Sequence, residues 1–340
     1  MLYAFFGNME KIYDVVIVGG GASGLLAGII LKKKNRKLDI LILEKKGKLA
    51  SKLLVTGNGK CNITNVNAEG YSEIERVMKD LGIGFRTDSE GRCYPLDGNA
   101  ATVTETLKKH VSSLGIAVRT GFHVEDVEKD NEYVLTSEKK EIRARNVVFA
   151  TGGKSYPDLG TTGDGYVMLR KLGHNIVTLI PALVPVTVKE DLTDFKGIRQ
   201  KGTVSLCMDG VKIREEKGEV QFRPDALSGI CVMNLSLDIR RGHDCVIEMD
   251  FRNEVLSPKL SCDTYTFTVT GLKGWKEAQV TAGGVDLSEV DMRTMESKLH
   301  KGIYILGETL DLQGLCGGYN LSHAWLSAIR FGENFEIQNQ

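Results

Sequence analysis

The 340-residue sequence holds few cysteines and no pattern among them. The seven thiols, at 61, 93, 207, 231, 245, 262 and 316, are odd in number and contain no C-x-x-C pair. That excludes a disulfide framework and a cysteine zinc site, and no metal ligands are expected; reduced cytosolic thiols are. Net charge is lacking too, because 44 Lys and Arg balance 44 Asp and Glu. No protein-wide field therefore draws the chain to DNA or to a membrane, although a local basic patch stays compatible with RNA. No apolar run approaches the roughly 18 residues that span a bilayer. Leu2 to Phe6 is too short for the core of a secretory signal, so a cytoplasmic location is expected. Met9, directly before the first strand, is an alternative start, with the residues before it as a loose extension. Internal repeats and low-complexity tracts are absent.

Glycine is plentiful. The 38 glycines are about one residue in nine, against ~7% on average, and they cluster in a few motifs. Tight backbone turns are therefore expected to belong to the function. The length exceeds that of a usual single domain, so one large α/β domain carrying a smaller second unit is expected.

Tyr13 to Val18 is a short β-branched run that ends in glycines. Ser23 to Lys34 follows with helical spacing, and Asp39 to Leu43 reads as a second buried strand, which makes a βαβ unit. Residues 45–70 form a long loop rich in Gly, Lys and Asn, uncommon in a compact domain unless it works. Helices are predicted over 72–81 and 100–114, with strands at 117–120, 123–129, 133–137 and 146–150. From about Pro181 short alternating segments (185–189, 201–208, 220–222 and 243–250) between Gly and Asp turns predict an antiparallel β unit. From Tyr265 the pattern returns to strand, glycine turn and a last helix over 321–331. The division expected is 1–184 and 265–340 for the first domain, with 185–264 inserted.

Gly19-Gly20-Gly21-Ala22-Ser23-Gly24 satisfies G-x-G-x-x-G in the position the motif needs, after a strand and opening a helix. Gly19 permits the turn, Gly21 lets backbone amides approach a pyrophosphate, and Gly24 brings helix and strand together. Glu44, 20 residues beyond Gly24 at the end of the second strand, suits a ribose diol and disfavours a 2′-phosphate. Later segments of the chain indicate FAD rather than a nicotinamide cofactor alone. Lys52 to Asn65 (KLLVTGNGKCNITN) is a glycine-hinged loop, Val147 to Gly153 (VVFATGG) runs a strand into a small-residue turn, and Gly302 to Asp311 is a late strand ending in acids. Gly317-Gly318-Tyr319-Asn320 then opens a helix whose start stabilises negative charge.

In these motifs the chain resembles the BaiN/RdsA (YhiN-like) flavoproteins, also labelled aminoacetone oxidase-like. The resemblance covers nearly the whole chain and is carried by GGGASGLLAG (19–28), TGNGKCNITN (56–65), GRCYP (91–95), ATGGKSYPDLGTTGDGY (150–166), TAGGV (281–285), TMESK (294–298) and GETLDLQGLCGGYNLSHAW (307–325). It implies a glutathione-reductase-type FAD-binding Rossmann domain with an inserted antiparallel β-barrel-like domain. The chain departs from the family in two places. Asn58 and Lys60 stand where many relatives have Gly and Arg, and Lys lacks the planar fork of Arg. Only about a dozen residues, 251–262, lie where relatives place several helices, so the helical subdomain is expected to be largely missing.

The expected contacts to non-covalent FAD are Gly19, Gly21, Ala22, Ser23, Gly24, Glu44, Lys45 and Lys52 near the first turn, then Gly59, Lys60, Asn62 and Thr64 in the loop. Val124, Ala150, Thr151, Gly152, Gly307, Glu308, Gly318, Asn320 and Leu321 complete the set. Cys61 is a candidate proton donor to a substrate carbon, against a role as a small packed thiol. Tyr156 is a candidate to orient a substrate carbonyl and Tyr319 a third catalytic candidate, while His323 is more readily a structural histidine. The GTTGDG run at 160–165 lacks a leading buried strand and a following acidic strand end, so it is not expected to bind a second dinucleotide. NAD(P)H is then a transient reductant at the open flavin face. The lysines at 45, 46, 48, 52 and 60 read as a solvated loop pairing cofactor phosphates rather than RNA.

The function expected is FAD-dependent reduction of a C=C bond conjugated to a carbonyl, by hydride transfer. The resemblance implies a uridine of 23S ribosomal RNA, reduced to dihydrouridine, or a steroid or bile-acid enone. Neutral charge speaks against RNA, and a base in folded RNA must be flipped into an open cleft. Two alternatives are oxidation of a small amino ketone such as aminoacetone, with hydrogen peroxide as product, and a non-catalytic flavin-binding redox protein.

Overall fold

The computed structural model describes residues 11–138, 140–240 and 242–336. Leu2 to Phe6 and the alternative start Met9 lie outside the described residues.

The β-branched run forms strand β1 (Ile12–Val18), followed by helix α1 (Ala22–Lys34) and strand β2 (Ile40–Glu44). β1 and β2 pair in parallel, Val15 opposite Ile40 through Val18 opposite Leu43, and all eight of these residues are buried. The sheet runs Ala117–Thr120, β2, β1, Lys140–Phe149, with Ile303–Ile305 parallel on the far side of that long strand. Its other end carries an antiparallel meander of Asp126–Lys129 and Tyr133–Ser137. This is the expected nucleotide-binding sheet, and every parallel strand points its C-terminal end at the same edge. The last helix, Tyr319–Asn334, packs against α1, so the C-terminal segment completes the first domain. The predicted helices fall at Tyr71–Asp80 and Ala100–Ser113.

The chain leaves this domain through Ile176–Ala182 and returns through Val280–Val285, and these two strands pair with each other antiparallel. Between them lies a closed six-stranded barrel of Val186–Val188, Ala226–Ser228, Val211–Arg223, Arg199–Met208, Cys245–Asp250 and Thr264–Leu272. The barrel therefore runs to Leu272, which corrects the boundary expected at 264. Thr264–Leu272 pairs with Cys245–Asp250 on one side and Val186–Val188 on the other, and without it the barrel stays open. Its interior holds Val204, Phe222, Leu227, Ile247 and Phe267, with the Phe195 ring stacked on Phe222 at 5.4 Å.

No helix interrupts residues 251–263. The irregular segment there is held by Gln200, which is buried. Its amide donates to the Val255 carbonyl at 3.2 Å and accepts from the Ser257 N–H at 2.9 Å. Among the described residues no helix is long and apolar enough to cross a membrane.

Candidate active site

The glycine turn brings backbone segments closer than any side chain allows. A Cβ on Gly24 would lie 2.0 Å from the Gly19 carbonyl oxygen, and one on Gly19, at φ +112°, would lie 2.2 Å from that of Ala150. Gly21 is different, because nothing lies within 4 Å of where its Cβ would be. That space opens into a cleft of about 1020 Å³, lined by Gly19, Gly21, Ala22, Ser23, Glu44, Lys52, Ala150, Thr151, Gly152, Glu308, Asn320 and Leu321 among others. α1 points its start at this cleft with no side-chain cap and no acid in its first turn, while Lys32, Lys33 and Lys34 occupy its last turn. Uncapped N–H groups and the positive helix end favour an anion there.

Glu44 is fixed by two backbone donors, the Gly20 N–H to Oε2 at 2.9 Å and the Lys46 N–H to Oε1 at 2.8 Å. An adjoining pocket of about 410 Å³ extends the cleft past Glu44, Lys45, Phe122, His123 and Val124. The GTTGDG run closes that end: Gly160, Thr162, Gly163 and Asp164 line it, and Asp164 pairs with Lys45 and with His123 at 3.0 Å. The run thus belongs to the first nucleotide cleft.

At the other end, Glu308 is held in a network. Its Oε2 accepts from Lys52 Nζ at 2.6 Å and its Oε1 from the Thr281 N–H at 2.7 Å and Ser155 Oγ at 3.1 Å. Lys52 Nζ also donates to Ser155 Oγ at 2.6 Å. Lys45 and Lys52 are thus committed to carboxylates rather than free as a basic patch. His323 lines the cleft with its Nδ1 buried and lacking a hydrogen-bond partner, and burial holds its imidazole below the usual range. The open space over Gly21, the fixed ribose-suited carboxylate and an unpartnered ring nitrogen fit a dinucleotide stretched from Val124 to Asn320.

A second cleft of about 1200 Å³ continues from the first and shares Lys52, Thr56, Gln279, Val280, Asn320 and Leu321 with it. It lies between the first domain and the barrel side, with Arg92, Tyr94, Tyr156, Leu183, Ile230 and Cys316 in its walls. Asn62 and Gly318 line this cleft, and the Asn62 amide bridges the Gly318 N–H at 3.0 Å and the Thr64 carbonyl at 3.1 Å.

Of the catalytic candidates only Tyr156 reaches a cleft. Its backbone is in the left-handed region at φ +55°, a strained conformation for a bulky residue. Among the described lining residues of either cleft Cys61 is not found. It is wholly buried in the main core, and burial pushes its thiol up to about 12. Tyr319 instead packs over Gly314, whose Cβ would sit 2.6 Å from that of Tyr319. Among the expected cofactor contacts, Gly59 and Lys60 are exposed and outside both linings. Thr64 is buried against Ser322 Oγ at 2.7 Å, and a Cβ on Gly307 would lie 2.8 Å from Ser23 Oγ. Gly24, Thr64 and Gly307 therefore shape the site from behind. The residues missed are Phe122 and Asp164, in the pocket beyond Glu44, and the second-cleft pair Arg92 and Tyr94. The GRCYP string contained the latter two without showing what they face.

A family model described as HI0933-like protein Rossmann domain matches residues 13–79 and 70–334. The 3-dehydro-bile acid delta(4,6)-reductase of Clostridium scindens is 28% identical over 398 residues, covering 93% of this chain and 97% of the relative. The ribosomal RNA dihydrouridine synthases of Haemophilus influenzae and Escherichia coli are 26% and 25% identical, each over 94% of this chain and over 98% and 97% of their own. These alignments run over 395 to 400 residues, longer than the 340 present here, so the relatives carry segments without a counterpart. Among solved structures, the open conformation of a flavocytochrome c3 fumarate reductase superposes with a TM-score of 0.55 at 15% identity, over 95% of this chain and 77% of that one. That likeness shows a shared fold.

Two outcomes are expected. A Cβ on Gly21 meets no protein atom and the backbone is extended (φ −85°, ψ −164°), so Gly21→Val destabilises the FAD-free protein in thermal unfolding only by the ~1 kcal/mol of a poorer N-cap while lowering FAD affinity at least ~100-fold by filling the pyrophosphate space. Undiminished FAD binding by fluorescence titration contradicts that placement. In native protein at pH 8, iodoacetamide labels exposed Cys262 and spares Cys61, because a thiol raised to about 12 stays protonated and the site is closed to reagent. Peptide mapping that finds Cys61 labelled first refutes the burial.

Proposed function

The chain belongs to the HI0933-like family and is an FAD-dependent oxidoreductase, and from that premise we propose that it reduces a carbon–carbon double bond conjugated to a carbonyl. The observation that carries the reading is the second cleft, which opens directly off the cofactor cleft at Lys52, Asn320 and Leu321. A substrate there meets the cofactor where the uncapped start of the Tyr319–Asn334 helix lies. The relatives' names support the same chemistry from two directions, a bile-acid delta(4,6)-reductase and a ribosomal RNA dihydrouridine synthase. A uracil 5,6 bond and a steroid enone are both double bonds polarised by a carbonyl.

FAD, when bound, supplies hydride transfer. The residues that would hold it are Gly19, Gly21, Ala22 and Ser23 for the pyrophosphate, Glu44 and Val124 for the adenosine, and Lys52, Glu308, Asn320 and Leu321 at the other end of the cleft. The chain's own task is to bind the acceptor, exclude bulk water and supply hydrogen-bond donors to the carbonyl, and Tyr156 is one such donor. NAD(P)H would serve as a transient reductant entering by the second cleft, because the GTTGDG run lines the first cleft. The substrate we favour is a uridine of 23S ribosomal RNA. Residues 251–263 carry no helix, and Asn253 and Glu254 there line an open groove with Arg92, Arg199 and Lys201 that would admit a flipped nucleotide's neighbours.

Nucleoside analysis of ribosomal RNA from cells lacking this gene tests the substrate. Dihydrouridine is expected to disappear from the large-subunit RNA and to return when the gene is restored. Unchanged dihydrouridine together with peroxide formation from aminoacetone replaces this reading with the amine oxidase.

A further inference from the structure

Most polar side chains that line the second cleft are already committed within the chain. Thr56 Oγ1 donates to the Leu53 carbonyl at 2.7 Å, and Asn320 pins the Gly314 N–H and carbonyl, each at 2.9 Å. Asn62 bridges Gly318 and Thr64, Lys52 is tied to Ser155 and Glu308, and the Cys316 thiol points at Gln279 Oε1, 3.9 Å away. Apart from the exposed Asn58 and Gln279, this leaves three side chains that keep a donor with no protein acceptor among the described residues: Arg92 at Nη2, and the hydroxyls of Tyr94 and Tyr156. Two of them come from one short strand.

In Arg92–Pro95 burial alternates, with Cys93 and Pro95 in the core and Arg92 and Tyr94 half-buried on the cleft face. Such alternation is the period of a strand, so the guanidinium and the phenol stand on one side by construction. Arg92 is also held in place. Its Nε donates to Asp88 Oδ2 at 2.8 Å and its Nη1 lies 3.0 Å from Glu90 Oε2, while Nη2 makes no bond within the described residues. Two carboxylates, one on Nε and one on Nη1, hold the planar group from two sides and leave Nη2 as its unpaired corner.

We propose that Arg92 and Tyr94 together form the seat for the substrate's carbonyl oxygen, holding the negative charge that develops there. The proposal rests on the reading of the cleft as the site of a carbonyl-conjugated double bond. Addition of a hydride to the β-carbon forms a C–H bond, breaks the C=C π bond and moves its electron pair to the carbonyl oxygen as an enolate. Protonation of the α-carbon by water completes the reduction. The reductant is the reduced flavin of the family's chemistry. Arg92 Nη2–H and Tyr94 O–H donate to the enolate oxygen, where a fixed donor helps most because the charge exists only as the reaction proceeds. A brace of the 88–92 turn is the purely structural role for Arg92, and Asp88 separates the two: it makes the same brace without lining the cleft.

The test compares FAD-loaded wild-type protein with Arg92→Gln, Arg92→Lys, Tyr94→Phe and Asp88→Asn. Two readouts are used: binding of p-nitrophenolate, an enolate mimic, by its absorbance shift, and reduction of testosterone or deproteinised ribosomal RNA. Arg92→Gln is expected to weaken p-nitrophenolate binding at least ~10-fold and to lower kcat by roughly 10²–10³, the usual loss of an oxyanion donor. KM changes less, and FAD content and Tm stay unchanged. Arg92→Lys restores part of the binding, Tyr94→Phe loses about tenfold in kcat, and Asp88→Asn, which loosens Arg92 but leaves its Nη2 donor in place, loses about tenfold or less. The proposal is overturned if wild-type protein does not bind the phenolate, if Arg92→Gln binds it as tightly, or if Asp88→Asn loses as much as Arg92→Gln. Arg92-dependent phenolate binding by a protein that reduces neither acceptor keeps the seat and discards the reaction.

Discussion

The contact between Gly24 and the Gly19 carbonyl sets the position of everything around the cofactor. With 2.0 Å between that oxygen and the place a Cβ would occupy, only glycine lets α1 begin directly over the end of β1. The Ala150 carbonyl, 2.2 Å from the Cβ position of Gly19, makes the same demand from the neighbouring strand. Three backbone segments therefore meet without side chains between them, and the start of α1 is left uncapped over open space. Strands buried on both faces, β1 and β2, supply the rigidity that keeps this close approach fixed.

A second constraint comes from how the chain enters and leaves the barrel. Because Ile176–Ala182 and Val280–Val285 pair with each other, the barrel is attached by a two-stranded ribbon rather than by single loops. Thr281 in that ribbon donates its N–H to Glu308, and its Oγ1 accepts from the Lys154 N–H at 2.7 Å. The ribbon, the strand end at Ala150–Ser155 and the late acidic turn are thus tied at one point, and both clefts share the wall beside it. The network places Lys52 and Glu308 before any ligand arrives, so ordering them costs little on binding.

Much of this was legible in the sequence because backbone constraints leave strong marks. Gly19, Gly21 and Gly24 announce the turn, the β-branched runs announce the parallel strands, and Glu44 marks the end of β2 at the cleft. The barrel was visible as alternation, but its last strand was assigned to the returning domain. A strand's period does not say which neighbour it pairs with, and closure at Thr264–Leu272 depends on pairs more than 70 residues apart in sequence. Cys61 is a similar case, where the packed-thiol alternative is the one its burial matches. Cys61 lies in a glycine loop beside the cofactor cleft, yet its backbone at φ +56° accompanies a side chain buried in the core. Arg92 and Tyr94 carried no signal of their own, since only the fold shows that the hairpin bearing them lines the second cleft.

If this second cleft presents a polarised double bond to the reduced flavin, the oxidative half-reaction without oxygen reveals it. FAD-loaded protein is reduced with dithionite under anaerobic conditions and mixed with deproteinised ribosomal RNA or with testosterone. Oxidised-flavin absorbance is expected to return, with one reduced product formed per flavin. Flavin that stays reduced with both acceptors, and reoxidises only when oxygen is admitted, contradicts that role for the cleft.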